Sequence, residues 1–393
     1  MSTFSNNRKV KMLQKTVADN MDYVKNSRSY LSEEEKKNKK YGMSYKTYIP
    51  DPGRVYDGLV ANQDGIVETE YEITLKNKGN SCSVDSWDEI VNLEDAPKFQ
   101  KEIVKPRATK LAREIQKDVI ENTIYRSTQA VVTTGNADFE TLSEGAAKLR
   151  EVSVAGDAVS FLSPTTMGKI AAGGLAKFIP DDIQKKIYGK NYLGEYAGAS
   201  QVELQGLPVI TTPSAMAATI SLTEEAGHKG LEAVNTVAIT GGVAKASIPF
   251  TAEGLKIVDV NGVETDQDYV IMADANGKIP ELRISYQGQG FNNPNAWVTS
   301  GTTALTLNPV LTTGTKYEVG SVRISDALAF DTYKFNKLAG VEELGTETDG
   351  GLRMEVIKAS NGITRESLIR IDCPYACGIP EPRQNVTLFI AKN

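Results

Sequence analysis

An α+β chain carrying an all-β insertion is the architecture these 393 residues predict, and three observations predict it. A stripe of apolar residues at helical spacing follows Pro106. A run of strict period two occupies Val67 to Lys76. Between about Thr219 and Asp326 helix signals vanish, and short strand-like pieces alternate with turn residues.

The helix is the clearest element. Ala108, Leu111, Ala112, Ile115 and Val119 repeat at i, i+3, i+4 and i+7, with Ile120 and Ile124 widening the buried face. Lys110, Arg113, Glu114, Lys117, Asp118 and Glu121 fill the other side and read as a solvated face. Pro106 suits a first turn, where its missing N–H costs nothing, and from there to Arg126 the rod spans about 31 Å. Phe99, Ile103 and Val104 predict a shorter helical run before the proline, with a kink between the two.

Composition bounds the rest. Hydrophobic residues at 40% and charged residues at 24% are those of an ordinary soluble globular protein with room for two or three compact units. No run of eighteen apolar residues exists, so no membrane span is predicted. MSTFSNNRKVKMLQK lacks the apolar core of a secretory signal, which predicts a cytoplasmic protein. Three cysteines (Cys82, Cys373, Cys377) are too few for a disulfide framework and fit reduced thiols. The net charge of -6 is uneven. Residues 1–50 hold eleven Lys/Arg against five Asp/Glu, a balance of +6, which leaves -12 on the other 343 residues. Such a leading segment suits contact with nucleic acid, with the acidic face of another copy, or simply with solvent.

Along the chain, residues 1–46 read as helical but thinly cored, through Val10, Leu13, Val17 and Met21, with the polar run Ser32–Lys40 following. A segment of this kind is ordered only where it lies on something else. From Thr47 to Ile90 the texture is extended. Val67, Thr69, Tyr71, Ile73 and Leu75 alternate with Glu68, Glu70, Glu72, Thr74 and Lys76, predicting one strand of a long hairpin whose partner lies in Tyr45–Tyr56. A lone hairpin is marginal in water, so its apolar face needs a partner surface.

After the helix, Asn136 or Asp138 caps a second helix with Phe139, Leu142, Ala146 and Leu149 on one face. Ala158–Leu162 reads as a strand, and Ser163-Pro164 caps and starts a helix with Met167, Ile170 and Ala171 inward, ended by Gly173-Gly174. A short helix over Pro180–Gly189 and a strand at Gly206–Thr211 follow. The insertion is read as eight strand pieces ending with Tyr317–Ile324, in a small closed barrel or sandwich. A helical return over Ala327–Leu338 precedes strands at Leu352–Lys358, Ser367–Ala376 and Val386–Ile390, with a turn at Asn361-Gly362.

No constellation in the sequence builds an active site, so an enzyme is not expected. His228 is the one histidine and sits in a Gly-rich turn, which leaves a Ser-His-Asp triad or an HExxH helix without support. Cys373 and Cys377 lack the second pair of ligands that tetrahedral zinc needs. No Gly-Lys is followed by Ser or Thr, Gly288-Gln289-Gly290 precedes no helix, and Asp266-Gln267-Asp268 lacks the glycine and glutamate of a calcium loop. No cofactor or metal is expected. Glu94-Asp95 and Asp181-Asp182 stand at helix starts, where carboxylates suit the dipole.

The order of parts carries more than any motif. Basic arm, long hairpin, long helix, α+β region, all-β insertion and closing strands together resemble the major capsid proteins of tailed bacteriophages. These have the Hong Kong 97-type fold, and the coat proteins of short-tailed phages with an inserted β-barrel are the most similar. Glu72–Ser127 resembles the family's passage from extended loop into spine helix. Asp182–Ile210, with IYGKNYLGEYAGASQVELQGLPVI, resembles the stretch leading into the insertion, and Asn361–Ile390 resembles the closing strands. The resemblance covers most of 47–218 and 327–393. It implies an N-arm over 1–46, an extended loop over 47–91 and a peripheral domain with the spine helix over 92–135. An axial domain would begin over 136–218, the inserted domain would take 219–326, and 327–393 would return to the axial and peripheral domains.

By the same resemblance the chain would assemble as hexamers and pentamers into an icosahedral shell around double-stranded DNA. It would form in the host cytoplasm, reside in the virion, and use a scaffolding protein and a portal. Val67, Tyr71, Ile73 and Leu75 are the expected intersubunit contact, since no floor for the ribbon is evident within the chain. The alternative is a phage tail or surface component that uses the β-insertion as a recognition module.

Overall fold

The computed structural model describes residues 17, 20–25, 27–32, 43–50, 68–85, 105–127, 129–152, 156–175, 195–212, 217–224, 233–234, 237–240, 248–251, 255–257, 270–273, 284–286, 303–333, 342–349, 352–361 and 366–392. Strands β1 (Ser44–Pro50) and β2 (Glu68–Asp85) precede helix α1 (Lys105–Thr123). Then come β3 (Gln129–Thr133), α2 (Phe139–Val152), β4 (Ala158–Leu162) and α3 (Pro164–Leu175). Three strands lead to the insertion: β5 (Glu195–Tyr196), β6 (Ala199–Glu203) and β7 (Val209–Thr211). The insertion itself holds β8 (Ala217–Glu224), β9 (Ala233–Val234), β10 (Val237–Thr240), β11 (Ile248–Thr251), β12 (Leu255–Ile257), β13 (Val270–Ala273), β14 (Ile284–Tyr286) and β15 (Thr303–Pro309). The chain closes with β16 (Lys316–Ile324), β17 (Ala329–Thr332), β18 (Glu342–Asp349), β19 (Leu352–Asn361), β20 (Glu366–Gly378) and β21 (Asn385–Ala391).

Two compact units share these elements, each made from separated stretches of chain. The first comprises Met1–Thr47, Tyr71–Ile120 and Leu328–Gly378; the second comprises Tyr48–Glu70, Glu121–Ala327 and Ile379–Asn393. The chain therefore passes between units at 47/48, 70/71, 120/121 (within α1), 327/328 and 378/379. One of these passages falls at 327/328 and another inside α1, because strand partners rather than sequence neighbours decide which residues cluster.

In the first unit the sheet order is β1-β2-β20-β19-β18, with β17 also on β20. The long strand β2 pairs antiparallel with β20 from Leu75↔Ala376 to Asp85↔Glu366. Ala327–Leu338 was expected to be helical. Its described part instead forms the short 3-10 turn Ser325–Ala327 and strand β17, buried along its whole length. A strand buried on both faces shows no period-two signature, which is why the spacing misled.

In the second unit the seven-stranded sheet runs β3-β21-β16-β4-β6-β5, with β7 also on β16. The pairs β3–β21 and β4–β6 are parallel, and β16 pairs antiparallel with β21, β4 and β7. Strand β16 thus belongs to this sheet and not to the insertion, where 219–326 had placed it. Helices α2 and α3 cover one face, burying Leu142, Leu149, Met167 and Ile170 with Val322, Val386 and Leu388. Asp138 Oδ1 accepts from the Thr141 N–H while Thr141 Oγ1 accepts from the Asp138 N–H, a reciprocal cap on α2. The Thr166 N–H donates to Ser163 Oγ at the start of α3. Gly145 lets α2 lie close to the sheet, since a Cβ there would stand 3.1 Å from Val322 Cγ2 and 3.2 Å from Leu388 Cδ2.

Within the insertion, six strands order as β10-β8-β15-β11-β13, with β9 on β8, and β12 pairs with β14. Among the described residues no pairing joins β10 to β13. No helix among the described residues is long and apolar enough to cross a membrane.

Candidate assembly surface

Strand β2 has the alternation its sequence predicts: Glu72 and Thr74 are exposed, while Ile73 and Leu75 each retain 1% exposure. They are buried within the chain itself, against Leu31, Tyr45, Ala329, Tyr333 and Ala376. This corrects the expectation that Ile73 and Leu75 meet a neighbouring copy, because the floor they need comes from β1, β17 and β20. Tyr71 is half-buried on the same cluster, and its ring lies over Gly378, where a Cβ would stand 2.7 Å from Tyr71 Cε1. The side chain of Val67 lies outside the described residues.

The leading segment is held by one carboxylate. Asp331, 1% exposed on β17, accepts from Ser29 Oγ (2.6 Å), the Tyr30 N–H (3.1 Å), the Leu31 N–H (3.4 Å) and Tyr45 Oη (2.8 Å). Arg28 forms a parallel bridge to Ala329: its N–H donates to Leu328 O at 2.8 Å and its carbonyl accepts from the Phe330 N–H at 3.0 Å. Burial and then the neighbouring carboxylate push the Tyr45 phenol above its usual range. Val17, Met21, Tyr23 and Val24 are buried as well. The thin stripe expected of residues 1–46 is therefore docked within its own unit where it is described.

Helix α1 lies antiparallel along the second half of β2. Lys76 Nζ pairs with Asp118 at 3.2 Å, Lys78 Nζ donates to Glu114 O at 3.1 Å, and Arg107 Nη1 donates to Ser81 O at 2.7 Å and Asn80 Oδ1 at 3.2 Å. From residue 76 to 81 a strand advances about 16 Å, and from 107 to 118 a helix advances about the same distance. The two elements therefore stay in step without a bulge or kink. Tyr375 Oη donates to Asp118 at 2.7 Å, which, after burial, pushes that phenol above its usual range.

The outward face of α1 exposes Lys110, Arg113, Glu114, Lys117 and Glu121. Its first turn holds no acid and its last turn no base, the reverse of what the helix dipole favours. Cys373 is fully buried, and burial, followed by Asp372, pushes its thiol up to about 12. Cys377 is half-buried and is likewise raised to about 12, mainly by burial.

In the second unit the carbonyls that follow α1 are satisfied by β21. Thr387 Oγ1 donates to Ile124 O at 2.8 Å, and Asn385 Nδ2 donates to Ile124 O at 3.3 Å and Arg126 O at 3.1 Å. Glu318, 1% exposed, accepts from Thr166 Oγ1 at 2.8 Å and pairs with Lys392 at 2.9 Å. Burial alone would raise its carboxyl. The hydrogen bonds from Ser163, Lys392 and Thr166 outweigh burial and lower it.

Asp331 escaped the reading of the sequence, where it looked like one polar residue in a helical return. The signal lay in its flanks: Leu328, Ala329, Phe330 and Tyr333 are apolar around a lone acid. His228 and Asp266-Gln267-Asp268 lie outside the described residues, as does the side chain of Cys82. Among the described residues no cluster of His, Cys, Asp or Glu has metal-binding geometry.

No family model matches the chain, and no curated protein does. Solved structures do. One described as Mycobacterium phage Che8 is 11% identical, with 92% of this chain and 89% of that chain covered, at a TM-score of 0.45. The capsid structure of cyanophage P-SCSP1u is 12% identical, with coverage of 93% and 86% and a TM-score of 0.43. The capsid of Helicobacter pylori bacteriophage KHP30 is 10% identical, with coverage of 93% and 87% and a TM-score of 0.46.

Proposed function

We propose that this chain is the major capsid protein of a tailed bacteriophage, of Hong Kong 97-type architecture, and that it self-assembles into the icosahedral head enclosing double-stranded DNA. One observation carries the reading: a ribbon strand and a long helix lie antiparallel and in step, inside a unit gathered from three separated stretches of chain. That unit takes in residues 1–47, the later part of the stretch read as extended loop, most of the helix read as the spine, and residues 328–378. The second unit carries the all-β insertion between β7 and β16.

On this reading copies associate as hexamers and pentamers, with a scaffolding protein and a portal as further partners. Residues 1–50, at +6, face the interior and contact scaffold or DNA. Assembly takes place in the host cytoplasm and the product is the virion shell. Neither cofactor nor membrane takes part. Burial of Ile73 and Leu75 moves the contact between copies to other surfaces, with Val67 and the open side of Tyr71 retained at its margin.

Expression of the full chain with and without a scaffold candidate, followed by negative-stain microscopy of sedimented material, tests the proposal. Closed isometric particles are expected with the scaffold. Fibres, tail-like tubes or monomers under every condition would overturn it in favour of a tail or surface component.

A further inference from the structure

Strands β4 and β6 run parallel, and their register sets Ser160 directly opposite Gln201. Both side chains are buried, at 1% and 7% exposure. The residues two places before them, Ala158 and Ala199, are register partners too and belong to the apolar cluster under α2 and α3. Side chains alternate along a strand, so Ser160 and Gln201 enter that same layer between sheet and helices.

Each brings a polar atom that the described part of the chain does not satisfy. Ser160 Oγ and Gln201 Oε1 have no hydrogen-bond partner among the described residues, and they do not bond each other. The Gln201 amide nitrogen is engaged, donating to Ala199 O at 2.9 Å, which leaves Oε1 as the open end of the side chain. Exposure does not account for the pair, because both atoms are shut off from bulk solvent. A hydroxyl and an amide oxygen left dry in an apolar layer are each costly.

We infer that one ordered water molecule sits between β4 and β6 and joins the Ser160 hydroxyl to the side-chain carbonyl of Gln201. The water donates to Gln201 Oε1, which accepts only, and either accepts from the Ser160 hydroxyl or donates to it. Facing polar groups that do not bond directly are the usual setting for such a bridge. The neighbouring ladder step is Ala158↔Ala199, whose methyl groups leave room that larger side chains would fill. A water suits the site better than an ion. Neither side chain is charged, and the surrounding cluster is hydrophobic. The bridge also marks the register. With β6 displaced by two residues, Gln201 would face Ala158 or Leu162, and the water would lose one of its two side-chain partners. Strand β6 relies on β4 for this alignment, since β5 pairs with it over Glu195 and Tyr196 alone among the described residues.

A crystal structure of the full chain, at a resolution that shows ordered waters, tests the site directly. A density peak within about 2.6–3.2 Å of both Ser160 Oγ and Gln201 Oε1 is expected. The inference is overturned if the two side chains meet in a direct hydrogen bond, or if the space between them is empty. A cycle of thermal melts gives a second measurement. Ser160→Ala is expected to lower the midpoint by roughly 2–6 °C, since it leaves the water and Oε1 short of a partner. In a Gln201→Met background the same change is expected to shift the midpoint by less than about half as much, because the bridge is already gone. Equal shifts in the two backgrounds would show that the residues act independently and would overturn a shared water.

Discussion

Replacing Leu75 with alanine tests where the ribbon strand is anchored. Leu75 is 1% exposed and packs among Leu31, Tyr45, Ile73, Ala329, Tyr333 and Ala376, all from the same chain. Removing a leucine side chain from such a site costs about 2–5 kcal/mol, through lost transfer energy and the cavity left behind. Three sides of the site are strands held by ladder hydrogen bonds, which limits collapse, so a value near 3 kcal/mol is expected. For a unit of about 150 residues each kcal/mol moves the melting temperature by roughly 2–4 °C, giving a drop of about 6–12 °C. The assay is a circular dichroism melt of the dilute, unassembled chain. A residue that served only a contact between copies would leave that melt unchanged and impair particle formation. An unchanged monomer melt would therefore refute burial within the chain and return Leu75 to the interface.

Asp331→Ala strands the Tyr45 hydroxyl and the two backbone donors of Tyr30 and Leu31, at a cost of about 3 kcal/mol or more. Limited proteolysis should then cut within residues 17–32, and a wild-type digestion pattern would contradict the clasp. The carboxyl of Glu318 is lowered on folding, so its contribution is complete above its unfolded value near 4.5 and is lost as pH falls through the folded value. Glu318→Gln should accordingly narrow the difference in denaturant midpoint between pH 7 and pH 3, whereas an equal difference in both proteins would rule out this source of acid sensitivity. With both thiols raised to about 12, Cys373 and Cys377 should resist iodoacetamide at pH 8 in the native chain and react in guanidinium, read by peptide mass spectrometry. Rapid native labelling of Cys373 would show that β20 opens.

Local signals were legible wherever one element carries its own code. The stripe from Ala108 to Ile120, the cap at Asp138 and the Ser163-Pro164 start each specify a helix from residues within a turn or two, and each is found in place. The run AVSFL at 158–162 reads as a strand, and so do the three closing strands. What the residues do not encode locally is partnership. The floor beneath Ile73 comes from Tyr45 on one side and from Tyr333 and Ala376 about 260–300 residues away. Period-two alternation says that one face is apolar and is silent on what covers it. Strand β16 reads as a strand, yet only its ladders with β4, β7 and β21 place it in the seven-stranded sheet.

The interleaving of the two units governs when the chain can mature on the ribosome. β21 lies between β3 and β16 in the seven-stranded sheet, and β20 lies between β2 and β19 in the other, so each of these sheets waits for a central strand made long after its first one. A nascent chain short of residue 378 exposes the apolar sides of β2 and β17. One short of residue 391 leaves the parallel ladder of β3 empty. Neither of these two sheets can therefore form in chain order, and their early strands stay open to chaperones until β20 and β21 have been made. A chain that stops before β20 and β21 leaves both the six-stranded sheet of the first unit and the seven-stranded sheet of the second incomplete.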